Sequence, residues 1–250
     1  MFAMKRFLSG GTGPVKRAKL CEMVPKSDPV KIIAWNVQSL PERGKKDMRC
    51  VKSFLRECGA DVVFLSEVKL KAHCSTLKAA AHSGPARNRR KPQTGDATGD
   101  REEGVCRELL RDVGFAPPVF SLADTRYAGT CALFRESGPA PVAVFFDFPD
   151  VTALGLRRAT TSFGEAHYAN GDDGHVDGRV LVCEYATVVV LHAYAPNNGS
   201  DVSKFARRAT WEARVRTWVE AVTSWGLKDL VYVGDLNVAP GVLNDSSRRR

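Results

Sequence analysis

Apolar residues in this chain come in short runs that end on oxygen-bearing side chains. VKIIAW (30–35) runs into Asn36, DVVFLS (61–66) into Glu67, and LVYV (230–233) into Gly234 and Asp235. Runs of this length, rich in β-branched and aromatic residues, predict buried strands. Between the first two, Met48, Val51, Leu55 and Cys58 recur at three- and four-residue steps. That spacing predicts a helix over 45–58 with Gly59 as its C-cap. A strand–helix–strand unit brings Asn36 and Glu67 to one edge of a parallel pair, the edge at which open α/β sheets bind ligands.

The remaining pattern is also α/β. Leu109 and Val113 predict a short helix over 105–113; 130–134 and 142–148 are strand-like. Residues 180–185 and 188–194 predict a hairpin turning through Ala186 and Thr187. Residues 203–225 carry Phe205, Trp211, Val215, Trp218, Val219 and Val222, a helical stripe that packs on a sheet. Arg207, Arg208, Arg214 and Arg216 of that helix are expected on its solvated face. Residues 82–103 are polar, without a large apolar side chain, and are expected to form a disordered insertion, its RNRRK stretch (87–91) included. Residues 1–27 read as a basic disordered tail, 28–250 as one domain, and 248–250 as its trailing end.

Candidate chemistry lies at the strand ends. Asp235 and Asn237 are two residues apart, so in an extended segment both point to one face. A buried carboxylate needs a partner or a metal. Alone, Gly-Asp-x-Asn is as readily a turn after a strand. Joined by Asn36 and Glu67, it becomes a set of hard oxygen donors that suits magnesium, which needs only one or two protein carboxylates. The seven cysteines are scattered, odd in number and never spaced Cys-x-x-Cys, which argues against zinc and against a disulfide framework.

Composition narrows the partner. A 250-residue chain that is 44% hydrophobic supports one sizeable core, and a net charge of +9 favours a polyanion such as nucleic acid. No apolar run approaches the length of a membrane span. The first acid is Glu22, preceded by Lys5, Arg6, Lys16, Arg17 and Lys19. PVKRAKL (14–20) resembles a nuclear-import signal; a mitochondrial presequence is the alternative, and the clustering of the basic residues favours the nucleus.

IIAWNVQSL, DVVFLSEVKL, YAGTCALF, DGRVLVCEY, LHAYAPNNG and VYVGDLNVAP resemble, in order, the motifs of exonuclease III-type apurinic/apyrimidinic endonucleases of the endonuclease/exonuclease/phosphatase superfamily. The resemblance implies a four-layered α/β sandwich of DNase I-like form. It implies a monomeric, magnesium-dependent phosphodiesterase, with manganese as alternative ion, that incises double-stranded DNA at abasic sites in base excision repair. A 3′-exonuclease activity can accompany this. The same resemblance assigns metal contacts to Asn36, Glu67, Asp235 and Asn237, and catalysis to Tyr194, Asp235 and Asn237. Tyr127, Asn197 and Arg179 would meet phosphate or DNA.

Two positions depart from that family. Gln38 stands where it usually has Asp or Asn. Its later aromatic pocket and closing Ser-Asp-His are absent before Arg250. The expectation is therefore a C-terminally truncated chain with an incomplete second sheet, catalytically incompetent as it stands. His192, on the face of Tyr194 by strand alternation, is expected to be a sheet residue more than a substitute for the missing His. His175, in NGDDGHVDG, is expected in a solvated turn. Two other readings stay open: the endonuclease of a non-LTR retrotransposon, and a non-catalytic DNA-binding remnant.

Overall fold

Alternation along the strands sorts the apolar side chains onto two faces, and this builds the molecule in layers. The computed structural model describes residues 28–70, 97–122, 127–151, 154, 178–197 and 201–238. One mixed sheet holds β1 (Ile32–Asn36), β2 (Val62–Ser66), β3 (Val119–Ser121) and β4 (Thr130–Phe134) in the order β1-β2-β4-β3. The other holds β5 (Ala143–Phe145), β6 (Val180–Glu184), β7 (Val188–Tyr194) and β8 (Asp229–Asp235) in the order β5-β6-β7-β8. Val62, Phe64, Ala132 and Phe134 of the first sheet meet Leu181, Cys183, Tyr185 and Val190 of the second in one shared apolar layer. The alternate residues Val63, Leu65, Cys131 and Leu133 face away, beneath α1 (Leu40–Lys46), α2 (Met48–Glu57) and α3 (Ala97–Leu110). Val182, Val189 and Leu191 lie beneath α4 (Val202–Trp225). Helix, sheet, sheet, helix is the four-layered sandwich expected.

Two parallel pairs set up the site. β1 runs beside β2 with Asn36 level with Ser66, and β7 runs beside β8 with Tyr194 level with Asp235. The β6–β7 hairpin is antiparallel, as expected.

Several boundaries differ from the sequence expectations. The helix expected over 45–58 is two helices broken at Asp47, whose φ of −124° and ψ of 16° are not helical. Ser39 Oγ caps the first by accepting from Glu42 N–H at 3.3 Å. Gly44 explains the crowding there: a Cβ at this position would lie 2.4 Å from Val105 Cγ1, so only glycine lets α3 approach α1 so closely. The insertion expected to be disordered over 82–103 is helical from Ala97 onward. Buried Cys106, Leu109 and Leu110 anchor this helix on the first sheet, and the polar turns before them continue it. Residues 82–96 lie outside the described residues, as do 1–27, His175 and 248–250. The strand expected over 142–148 is only Ala143–Phe145, and the short β3 has no counterpart in the expectation.

On α4, Val215, Trp218 and Val222 are buried against the second sheet, but Phe205 remains 51% exposed and is not part of that stripe. Asp201 caps its start by accepting from Ser203 N–H at 2.9 Å, and Gly226 closes it in the left-handed conformation. Among the described residues no helix is long and apolar enough to cross a membrane.

Candidate active site

Four strand ends converge at one edge of the sandwich, and their last inward side chains touch. Asn36 Nδ2, at the end of β1, donates to Glu67 Oε1 at 3.0 Å and to Asp235 Oδ2 at 2.7 Å. Tyr194 Oη, at the end of β7, donates to the same Glu67 oxygen at 2.9 Å. Lys69 Nζ holds the other oxygen, Oε2, at 2.8 Å. Asn36 Oδ1 accepts from Gln38 N–H at 3.0 Å, which fixes the amide with its NH2 toward the acids. Thus two carboxylates stand within hydrogen-bond reach of one nitrogen.

Backbone geometry delivers them. Glu67, Lys69, Gln38 and Asn237 have φ of 53°, 55°, 58° and 50°, a left-handed region that non-glycine residues seldom occupy. Such strain clusters where surrounding structure holds a functional arrangement. The left-handed turn at Asn237 also corrects the expectation that Asp235 and Asn237 share a face by extension, since β8 ends at Asp235. The two are joined by a turn instead: Asn237 N–H donates to Asp235 Oδ1 at 2.9 Å, and Asn237 Nδ2 donates to Ala195 O at 2.7 Å. Gly234 is required here, because its φ is 138° and a Cβ would lie 1.9 Å from Ala193 O.

Electrostatics sets the protonation states. Burial alone would raise the Glu67 carboxyl, but hydrogen bonds from Lys69, Asn36 and Tyr194 outweigh it and hold its pKa below the usual range. Burial and then the bond to Glu67 push the Tyr194 phenol well above its ordinary value, against the opposing charge of Arg179. At neutral pH the pair is therefore carboxylate and protonated phenol.

Arg179, 2% exposed, builds the wall of the site. Its guanidinium carbon lies 4.7 Å from the Tyr194 ring centroid and 5.2 Å from that of Tyr127, and its Nη1 donates to Tyr194 O at 3.0 Å. Tyr127 is half-exposed and forms the outer layer of this stack. Asn197 is exposed three residues beyond Tyr194, on the loop that leaves β7. Every residue proposed for the site from sequence is thus at or beside this edge, with Asn197 on its solvent side.

The donor set suits a hard cation. Among the described residues no three His, Cys, Asp or Glu side chains gather, so the acids of this edge are the pair Glu67 and Asp235. Glu67 and Asp235 present two carboxylates at this edge, and the groups on them are all hydrogen-bond or charge donors, an arrangement of oxygen ligands that could take a hard cation.

His192 faces inward like Tyr194 but lies deeper, fully buried between the sheets. Its ring stacks on Phe64 at 4.8 Å, and its Nε2 is 3.4 Å from Ser66 Oγ. Burial pushes its pKa down to about 3, so it is neutral under ordinary conditions. Lys69 and Arg208 were not foreseen as site residues. Lys69 stands two residues after Glu67, but both lie beyond β2 in left-handed backbone, so the turn and not strand alternation brings its Nζ to Glu67. Arg208, expected on a solvated face, is 8% exposed because Trp211 and Val215 follow it at three and seven residues and carry that face inward.

A family model described as the Endonuclease/Exonuclease/phosphatase family matches residues 33–242. The chain belongs to this family. Its relatives include a DNA-(apurinic or apyrimidinic site) endonuclease of Arabidopsis thaliana, 28% identical over 221 residues, covering 85% of this chain and 51% of the Arabidopsis protein. A protein of the same description from Plasmodium falciparum is 27% identical over 225 residues, covering 86% of this chain and 33% of its own length. This member of the family therefore spans about half the length of such relatives, or less. Among solved structures, AP endonuclease LMAP from Leishmania major superposes with a TM-score of 0.54 at 19% identity, over 91% of this chain and 61% of that one. A variant of the 3′ phosphatase NExo from Neisseria, bound to product DNA hairpin, gives 0.51 at 23% identity, over 85% and 59%. At these identities the superpositions establish the shared fold of the family.

Proposed function

We propose that this chain carries the catalytic edge of a divalent-cation-dependent phosphodiesterase that incises DNA at abasic sites. The observation that carries the reading is the meeting of Glu67 and Asp235 on the amide of Asn36, beside Tyr194. Magnesium, or manganese in its place, would be held by Glu67 and Asp235; the metal contact expected of Asn36 requires its amide to turn, because its NH2 faces the acids and its oxygen accepts from Gln38 N–H. When bound, it supplies a positive charge that offsets charge developing on a phosphate oxygen. The AP endonucleases among its relatives support the substrate class.

The chain's own residues have distinct parts in this reading. Asp235, its Oδ1 fixed by Asn237 N–H, orients a water for in-line attack. Tyr194 is a neutral donor and its hydroxyl can turn from Glu67 to a phosphate oxygen. Asn237 holds the loop beneath that group through Ala195 O. Arg179, stacked behind Tyr194, fixes the ring and leaves Tyr127 to lie against the DNA sugar or base. Asn197 approaches the phosphate from the solvent side. Lys69 keeps Glu67 ionised.

The test is incision of a duplex with one tetrahydrofuran abasic analogue, an analogue that cannot undergo β-elimination; turnover by these 250 residues would also overturn the expectation from sequence that the chain is catalytically incompetent. Cleavage with magnesium should stop in EDTA. Glu67→Ala and Asp235→Asn should each cost at least ~10²-fold in rate, the scale of losing one preorganised electrostatic group. An Asp235→Asn protein with full activity, or cleavage that persists in EDTA, would refute the reading.

A further inference from the structure

Arg208 lies in the second turn of α4, outside the acidic cluster, yet it binds two of the loops that form the site, those after β7 and β8. Its Nη1 donates to Pro196 O at 2.6 Å and its Nη2 to Leu236 O at 2.8 Å. Pro196 sits between Tyr194 and Asn197, and Leu236 sits between Asp235 and Asn237. From behind, the guanidinium is fixed on its own helix: Nε donates to Glu212 Oε1 at 2.7 Å, Nη2 reaches the same oxygen, and the Trp211 ring lies 5.6 Å away. A planar fork backed by a carboxylate is a rigid device, and here its two prongs end on two main-chain carbonyls.

Two further bonds cross the same gap. Ala195 N–H donates to Asp235 O at 2.9 Å, and Asn237 Nδ2 reaches Ala195 O. Leu236 O belongs to the peptide that enters Asn237, whose φ of 50° persists only when its surroundings over-determine it. Rotation of that peptide would move the Asn237 N–H off Asp235 Oδ1 and leave the carboxylate held through Oδ2 alone.

We propose that Arg208 is a positioning residue: it locks the loop after β7 to the loop after β8, and so sets the orientation of Asp235, Asn237 and Asn197 toward a divalent cation and a phosphodiester. The proposal rests on the phosphodiesterase reading for its purpose, but not for its geometry. A purely structural helix-to-sheet tether would change overall stability and leave the site's local order alone.

The experiment compares the full chain with its Arg208→Lys variant, which keeps the charge but can reach only one carbonyl. Amide hydrogen exchange without metal is followed at Ala195 and Asn237, with Val190 and Leu191 in the middle of β7 as internal standards. Manganese affinity is measured by titration calorimetry, and kcat and KM on abasic duplex are separated. In Arg208→Lys the Ala195 and Asn237 amides should exchange about ten times faster while Val190 and Leu191 do not change, the manganese affinity should fall about 10- to 100-fold, and kcat should fall more than KM rises. Unchanged exchange at the two loops, or an even rise across β7, would overturn the proposal. If the wild-type chain takes up no manganese, the phosphodiesterase reading fails, and the exchange pattern alone still decides whether Arg208 is the lock. Should Arg208→Lys not fold, Glu212→Gln keeps the fork and weakens its backing. It should raise exchange at the same two amides by about threefold, and no local rise there would equally overturn the proposal.

Discussion

Asn36 and Asp235, 199 residues apart in sequence, meet at 2.7 Å across the mouth of the two sheets. The same Asn36 amide reaches Glu67, so one neutral NH2 group separates two acids. Its replacement by a third acid should therefore be felt electrostatically before it is felt in packing. Asn36→Asp should lower stability in EDTA by about 1–3 kcal/mol, the scale of an uncompensated, partly buried charged group. Magnesium should restore part of that loss, since a ligand that binds only the folded state stabilises it. Urea titrations with and without the cation measure both numbers. Equal stability of variant and wild type in EDTA would mean that the amide does not separate the acids.

Gly234 should be the least tolerant residue of β8. A methyl group there points at Ala193 O on the neighbouring strand, and the φ of 138° disfavours any side chain. Gly234→Ala should cost about 2–5 kcal/mol through strain and overpacking together. Thermal unfolding followed by circular dichroism tests this, and a variant with unchanged melting temperature would contradict the close approach of β7 and β8.

His192 gives the fold a dependence on acid. Its folded pKa of about 3 lies below the ordinary 6.5, so the unfolded chain binds a proton that the folded chain refuses. Its contribution is fully present above pH 6.5 and is lost as pH falls toward 3. The slope approaches ~1.4 kcal/mol per pH unit in that window. His192→Leu should flatten the stability profile between those limits. An unchanged slope in the variant would show that other groups carry the acid sensitivity.

Affinity for DNA should depend steeply on salt. With a net charge of +9, the logarithm of the association constant should fall linearly with the logarithm of salt concentration as counterions are released. Fluorescence anisotropy with an abasic duplex gives the slope directly. A flat line would count against a phosphate-bearing partner.

Strand ends were the legible part of this molecule. β1, β2 and β8 each read as an apolar run, and Asn36, Glu67 and Asp235 stand at or just past the end of it. The strand–helix–strand pattern brought Asn36 and Glu67 to one edge, and alternation put His192 on the face of Tyr194. What stayed hidden was non-local or conformational. The break at Asp47 and the helical residues 97–103 depend on how α1 and α3 pack, and no local spacing reports that. Glu67 and Asn237 adopt left-handed turns that only the completed cluster enforces. Arg208 looks like a solvated position in sequence, and the carbonyls that receive its guanidinium come from two loops 12 and 28 residues away.

Each sheet is drawn from its own stretch of chain: among the described strands the first sheet ends at Phe134, and the second begins at Ala143. During synthesis the earlier sheet can therefore pair its strands before any strand of the other has left the ribosome. Asn36 and Glu67 then wait, held in place, for a partner made later. The carboxylate of Asp235 arrives only with β8, so the cluster assembles when translation has brought the two sheets together. On the proposed function, a nascent chain that acts on a polyanion stays silent until the two halves have closed.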